Sequence, residues 1–141
     1  MPAGCGDADY LVAMQRVIEP EIREFRPDIV LVSAGFDAYE ADPLAGMKVT
    51  IAGFQAMTRR LTSLCEEVCQ GRMVAVLEGG YDLSGLGMSV AVLLEEMMST
   101  VASEVAALPV ASHVANPGAL RAIESTERAL AACRAVYQPG D

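Results

Sequence analysis

"PDIVLVSAGFDAYEADPLAG", residues 27–46, sets a short apolar run between Pro27 and Gly35, then crowds Asp37, Glu40 and Asp42 into the next seven positions. The length of the run, its β-branched content and its flanking breakers predict a strand buried on both faces. In open parallel α/β sheets ligands gather outside the carboxyl ends of the strands, so carboxylates there suggest a site, and metal binding is the chemistry they suit. An Asp-Pro step such as Asp42-Pro43 also serves as a turn or cap device, and the residues alone leave both readings open.

Working outward, "GDADYLVAMQRVIEPEIREF" predicts a helix from about residue 7, capped by Asp7 or Asp9, with Leu11, Met14, Val17, Ile18 and Ile22 as its apolar stripe. Pro20 lies inside that pattern and predicts a kink or restart. Downstream, "TIAGFQAMTRRLTSLCEEVCQG" predicts a second helix with Thr50 as N-cap and Gly71 as its stop. "RMVAVLEGG" predicts another fully buried strand, Met73 to Leu77, after which Gly79 and Gly80 release the chain. A third helix follows over "DLSGLGMSVAVLLEEMMS", weakened by Gly85 and Gly87, then a linker, "ALPVASHVANPGAL". A last helix starts at Asn116-Pro117 and runs to about Tyr137.

Strand, helix, strand, helix with near-continuous apolar strands means a parallel, right-handed βαβ unit. Two such strands need neighbours on both edges, and no third convincing strand is present, so the sheet reads as incomplete. Its two strand ends bring Asp37 and Asp42 to the same edge as Glu78, Gly79, Gly80 and Tyr81. Gly-Gly-Tyr also suits a plain tight turn, and Glu78 could cap the next helix. The glycines of "GGYDLSGLG" fit neither nucleotide-binding pattern.

The 141 residues allow one domain or less, and 52% hydrophobic residues make a packed core attainable. With 10 basic and 19 acidic residues the net charge is −9, which excludes nucleic acid as a bulk electrostatic partner. No apolar run reaches the ~18 residues of a membrane span. Cys5, Cys65, Cys69 and Cys133 contain no CxxC pair. With an opening that lacks the basic and apolar regions of a signal peptide, they predict a reducing, cytoplasmic setting.

The stretch from Gly6 to Thr50, followed by "LEGGYDL", closely resembles the C-terminal portion of zinc-dependent deacetylases: class II histone deacetylases, acetylpolyamine amidohydrolases and acetoin-utilisation-type enzymes. The resemblance covers about residues 4–97. It implies an arginase/deacetylase-type three-layer α/β fold with a parallel sheet, of which this chain holds a C-terminal βαβ-containing part. Residues 1–110 would belong to the deacetylase-like domain and 111–141 would form a linker and terminal helix. The implied activity is hydrolysis of acetyl-lysine or of an acetylated amine at a zinc ion. On the matching positions, Asp42 is implied as a zinc ligand and Tyr81 as the phenol that hydrogen-bonds the tetrahedral oxyanion. Gly79, Gly80 and Val49 are implied as lining the acyl-lysine tunnel. Asp37 is implied as an acidic support behind the metal rather than a ligand.

The family's paired histidines and its Asp-x-His ligands have no counterpart here. The one histidine, His113, falls past the matched motifs and reads as an ordinary loop residue. One carboxylate does not hold catalytic zinc, which takes about three protein ligands. The expectation is therefore a fragment inactive by itself, not holding zinc tightly. It would be completed by an N-terminal segment as in a split enzyme, or else serve as a non-catalytic assembly module that pairs with another chain or itself. No nucleic acid and no membrane are expected as partners.

Overall fold

The computed structural model describes residues 1–99 and 116–136. The amino-terminal helix forms where expected, but in two segments, α1 (Asp7–Ala13) and α2 (Glu19–Phe25), joined by a π turn over Met14–Ile18. Pro20 has no N–H to continue an i→i−4 ladder, and the wider turn just before it absorbs that loss. The same turn shifts the helix phase: Val12 and Met14 are buried, whereas Ile18, expected in the stripe, is exposed. Gly6, not Asp7 or Asp9, is the N-cap. Asp9 instead reaches back from the third helical position to accept the Gly6 N–H at 3.0 Å. α2 ends on Arg26 in the left-handed region (φ 50°), with Pro27 next.

β1 (Val30–Ala34) and β2 (Met73–Leu77) pair in parallel, Val30 opposite Met73 and Ala34 opposite Leu77. Between them α3 (Ile51–Cys69) makes the crossover, and α4 (Leu83–Met98) follows β2. Thr50 caps α3 as expected, its Oγ1 accepting the Gly53 N–H at 3.1 Å. Its hydroxyl donates to Asp7 Oδ2 at 2.7 Å and its backbone N–H to Asp7 Oδ1 at 2.8 Å, tying the start of α3 to α1. Thr50→Ala removes both the cap and one of these bonds and is expected to cost about 1–2 kcal/mol in urea unfolding. α3 stops on two consecutive left-handed residues, Gln70 and the expected Gly71.

Asp82 caps α4 through Gly85 N–H at 2.6 Å. Gly85 weakens helix propensity but is required by packing, because a Cβ there would sit 2.2 Å from the Tyr39 ring. Glu96 of α4 is buried and receives Gln55 and Arg59 of α3 at 2.6–2.9 Å. Those bonds, Arg59 first, hold its pKa below the ordinary 4.5.

The sheet departs from expectation. Its strands are not buried on both faces. Val32, Ala34 and Ala75 turn inward onto a core of Phe36, Ala38, Val49 and Phe54, which α3 and α4 cover with Met57, Leu86, Val90 and Leu93. Phe36 and Phe54 meet edge to face, with ring centroids 5.2 Å apart. Leu31, Val74 and Val76 point the other way and are 72%, 45% and 57% exposed. The reason is architectural: among the described residues the sheet has two strands, and the helices that cross over it lie on one side.

α5 (Pro117–Val136) starts where expected and packs back on α1 and the π turn. Asn116 N–H donates to Asp9 Oδ1 at 2.9 Å, Ala119 and Ile123 are buried, and Arg16 forms a bidentate pair with Glu127 at 2.6–2.8 Å. The boundary expected near residue 110 and the reading of His113 as a loop residue lie outside the described residues. No helix is long and apolar enough to cross a membrane among the described residues.

Candidate active site

The ladder between the strands continues past their ends. Glu78 N–H donates to Ala34 O at 3.2 Å and Phe36 N–H to Gly79 O at 2.9 Å, so the segments after β1 and β2 leave the sheet side by side. They frame an open cleft of about 460 Å³ lined by Tyr10, Ser33, Gly35, Asp37, Ala38, Glu78, Gly79 and Tyr81. Asp37, Gly79 and Tyr81 were expected at a site, and the fold brings them together. A larger hollow, about 630 Å³, opens near Gly4 and Lys48, but its carboxylates, Asp7 and Asp9, are already spent on Thr50, Gly6 and Asn116.

Asp37 rests on a glycine floor. A Cβ on Gly79 would lie 3.2 Å from its Cγ and Oδ2, and one on Gly35 would lie 3.4 Å from its Oδ1. Any larger residue at position 79 would crowd the carboxylate. Among the described residues no hydrogen bond engages the Asp37 side chain. It is half-buried in the cleft wall with its acceptors uncommitted.

Asp42 is the reverse. It is buried, lies outside the residues that line the cleft, and has both oxygens engaged: Oδ1 by Leu44 N–H at 2.9 Å, Oδ2 by Tyr81 N–H at 2.7 Å. Burial pushes its pKa up, but the backbone N–H groups of Leu44, Tyr81, Ala45 and Asp82 outweigh that and hold it below the ordinary 3.8. The expectation of Asp42 as a metal ligand thus meets a carboxylate that already ties the loop after β1 to the loop after β2. Asp42 and Glu96 are both depressed, so each contributes stability that is complete above its ordinary pKa and is lost as pH falls through the folded value. We expect the thermal midpoint to hold down to about pH 5 and to fall steeply below about pH 4. A midpoint that rises on acidification contradicts this.

Val49, expected to line the acyl-lysine tunnel, does not line this cleft. It is 0% exposed, because Val49 N–H to Ala38 O (3.1 Å) and Glu40 N–H to Val49 O (2.9 Å) strap it under the loop. Gly80 is also not among the residues that line the cleft. Its φ of 129° calls for glycine, and a Cβ there would press on Leu86 at 3.0 Å. Tyr81, 55% exposed, stands at the rim.

Tyr10 was missed. It comes from α1, 27 residues before Asp37, and nothing in its local sequence marks it beyond an aromatic in an aliphatic stripe. Burial, then the charges of Cys5 and Asp37, push its phenol above the usual range.

In chemical terms, the cleft offers two carboxylates with no partner among the described residues, the half-buried Asp37 and the exposed Glu78, and two phenols at the carboxyl end of a parallel sheet. Among the described residues no three His, Cys, Asp or Glu side chains converge into a metal-binding group. Asp37 fits a metal as one oxygen donor on its cradle, and other ligands would have to come from elsewhere.

The α/β fold, with its small parallel sheet, is consistent with a part of an arginase/deacetylase-type fold, and comparison with known proteins agrees. Residues 1–97 match the family described as histone deacetylase domain. Histone deacetylase 18 of Arabidopsis thaliana is 47% identical over 105 residues, 72% of this chain and 15% of that protein. A probable deacetylase of Archaeoglobus fulgidus is 41% identical over 85 residues, 60% of this chain and 24% of that protein. The crystal structure of the HDA15 HD domain superposes with a TM-score of 0.73 at 33% identity, covering 90% of this chain and 33% of that one. This chain belongs to the histone deacetylase family. It spans a quarter or less of the length of these curated relatives.

Proposed function

We propose that this chain forms one wall of a zinc-dependent deacetylase site that hydrolyses acetyl-lysine or an acetylated amine. Asp37, not Asp42, is the carboxylate that faces the metal. The observation that carries the reading is the uncommitted Asp37 carboxylate on its Gly35–Gly79 floor, in one cleft with Tyr81. A zinc ion bound there would polarise the acetyl carbonyl and lower the pKa of a water. Asp37 would supply one oxygen to it. Tyr81, at the rim, would donate its phenolic hydrogen to the oxygen that gains charge in the tetrahedral intermediate. Asp42 would hold the Tyr81 backbone in place through its 2.7 Å bond. Gly79 would let the acyl chain pass close to the backbone.

On this reading the 141 residues alone hold no stoichiometric zinc and hydrolyse no acetyl-lysine, since one carboxylate falls short of the about three protein ligands of a catalytic site. Metal analysis of the purified chain tests it: less than one-tenth of an equivalent of zinc after gel filtration is expected, and one tight zinc per chain would contradict it. A reducing compartment such as the cytoplasm suits Cys5, Cys65, Cys69 and Cys133, all of them free. Burial holds the Cys65 thiol up to about 11, so it stays protonated and inert. Relatives also include proteins named chloroplastic, from rice and Arabidopsis thaliana.

A further inference from the structure

We propose that Tyr10 is a positioning residue of the metal site: its hydroxyl donates to the Asp37 carboxylate when a metal binds, and so fixes which oxygen faces the metal. This deepens the reading of the site above and rests on it.

The two phenols of the cleft differ in setting. Tyr81 stands exposed on a loop at the rim, whereas Tyr10 comes from α1, is half-buried, and packs against the core that holds Phe36 and Val49. Its backbone N–H donates to Gly6 O at 3.1 Å. The two acids just before it are pinned as well. Asp9 accepts Gly6 N–H at 3.0 Å and Asn116 N–H at 2.9 Å, and Asp7 accepts Thr50 N–H at 2.8 Å. Tyr10 is therefore mounted on the starts of α3 and α5, the rigid support that a side chain setting the geometry of a site requires.

Phenylalanine would serve the core as well, so packing does not account for the hydroxyl. A half-buried phenol ordinarily finds a hydrogen-bond partner. Among the described residues nothing engages the Tyr10 hydroxyl. Nor is it a sealed-off orphan, since the buried polar side-chain atom without a partner is Ser89 Oγ. It opens instead into the cleft, where Asp37 has its acceptors free. Burial first, then the charges of Cys5 and Asp37, hold the phenol above its usual range. It therefore keeps its proton at neutral pH and stands ready to donate.

A carboxylate that gives one oxygen to a metal still has lone pairs for a second partner, and ligating carboxylates are themselves hydrogen-bonded. Gly35 and Gly79, which form the floor under Asp37, have no side chain to supply that bond. Tyr10 does. Hydrogen bonds of this kind are often long in an empty site and tighten on occupation.

The test is titration of the ¹⁵N-labelled full chain with zinc chloride, followed at the Asp37 and Gly79 amides. A local, saturable response is expected, weak enough to be lost on gel filtration. Tyr10→Phe should raise the zinc Kd about tenfold, with the urea midpoint unchanged because the ring stays in place. Tyr81→Phe should leave the zinc Kd as it is, and Asp37→Asn should remove the response. The same loss in Tyr10→Phe is expected in the assembled complex of this chain with an amino-terminal segment that completes the site. An unchanged zinc Kd in Tyr10→Phe, with the response still lost in Asp37→Asn, would overturn the role of Tyr10 and leave the reading of Asp37 standing. A loss of affinity accompanied by a lowered urea midpoint would assign Tyr10 to the core and overturn it too. A response indifferent to Asp37→Asn would overturn the reading of the site, and this proposal with it.

Discussion

Asp37→Asn is expected to lower the zinc affinity of the assembled site by more than about 100-fold, beyond what loss of a supporting hydrogen bond costs a metal centre. The same substitution should move the unfolding free energy of the chain by less than about 1 kcal/mol, because no hydrogen bond among the described residues is lost with it. Asp42→Asn should show the opposite balance. An amide can accept one backbone N–H but turns its own NH₂ toward the other. Either Leu44 or Tyr81 then loses its acceptor in a buried place, and the chain loses stability before any metal is considered. Measuring zinc affinity and urea unfolding on both variants separates a carboxylate that faces the metal from one that holds a loop. Equal losses of both quantities in both variants would mean that the two residues act as a unit.

Phe54→Ala is expected to unfold most of the chain at 37 °C. The ring is buried against Phe36 at the centre of the core on the inner face of the sheet, and removing a buried phenylalanine costs about 3–5 kcal/mol. The whole stability of a small domain is about 5–15 kcal/mol, and one with an open sheet face sits at the low end. Loss of the far-UV helical signal at 37 °C, with partial recovery in Phe54→Leu, is the expected result. A fully folded Phe54→Ala variant would mean that the inner face of the sheet is not where stability resides.

The parts of the fold that local chemistry decides were legible. Both strands, the Thr50 cap, the Met73–Leu77 bounds of the second strand and the start of α5 at Asn116 follow from breakers, caps and apolar runs within a few residues. Burial was misjudged where it depends on what lies across the sheet. Leu31 and Val76 have the composition of buried residues, and no property of their own segment says that no described element covers them. At the site, the motif after β1 put both Asp37 and Asp42 in view but did not rank them. The ranking depends on contacts 39 and 42 positions away, Tyr81 N–H on Asp42 and the Gly79 floor under Asp37. The same holds for Val49, whose apolar character fits a tunnel wall as well as the core in which two backbone bonds set it. Tyr10 was unreadable because its partners meet it only after α1 has folded against the sheet.

The most direct test is zinc-edge anomalous diffraction on crystals of the assembled complex. The account predicts a single anomalous peak within about 2.0–2.2 Å of an Asp37 oxygen, with Asp42 still accepting from Leu44 and Tyr81. A peak on Asp42, with those two backbone bonds released, would contradict it.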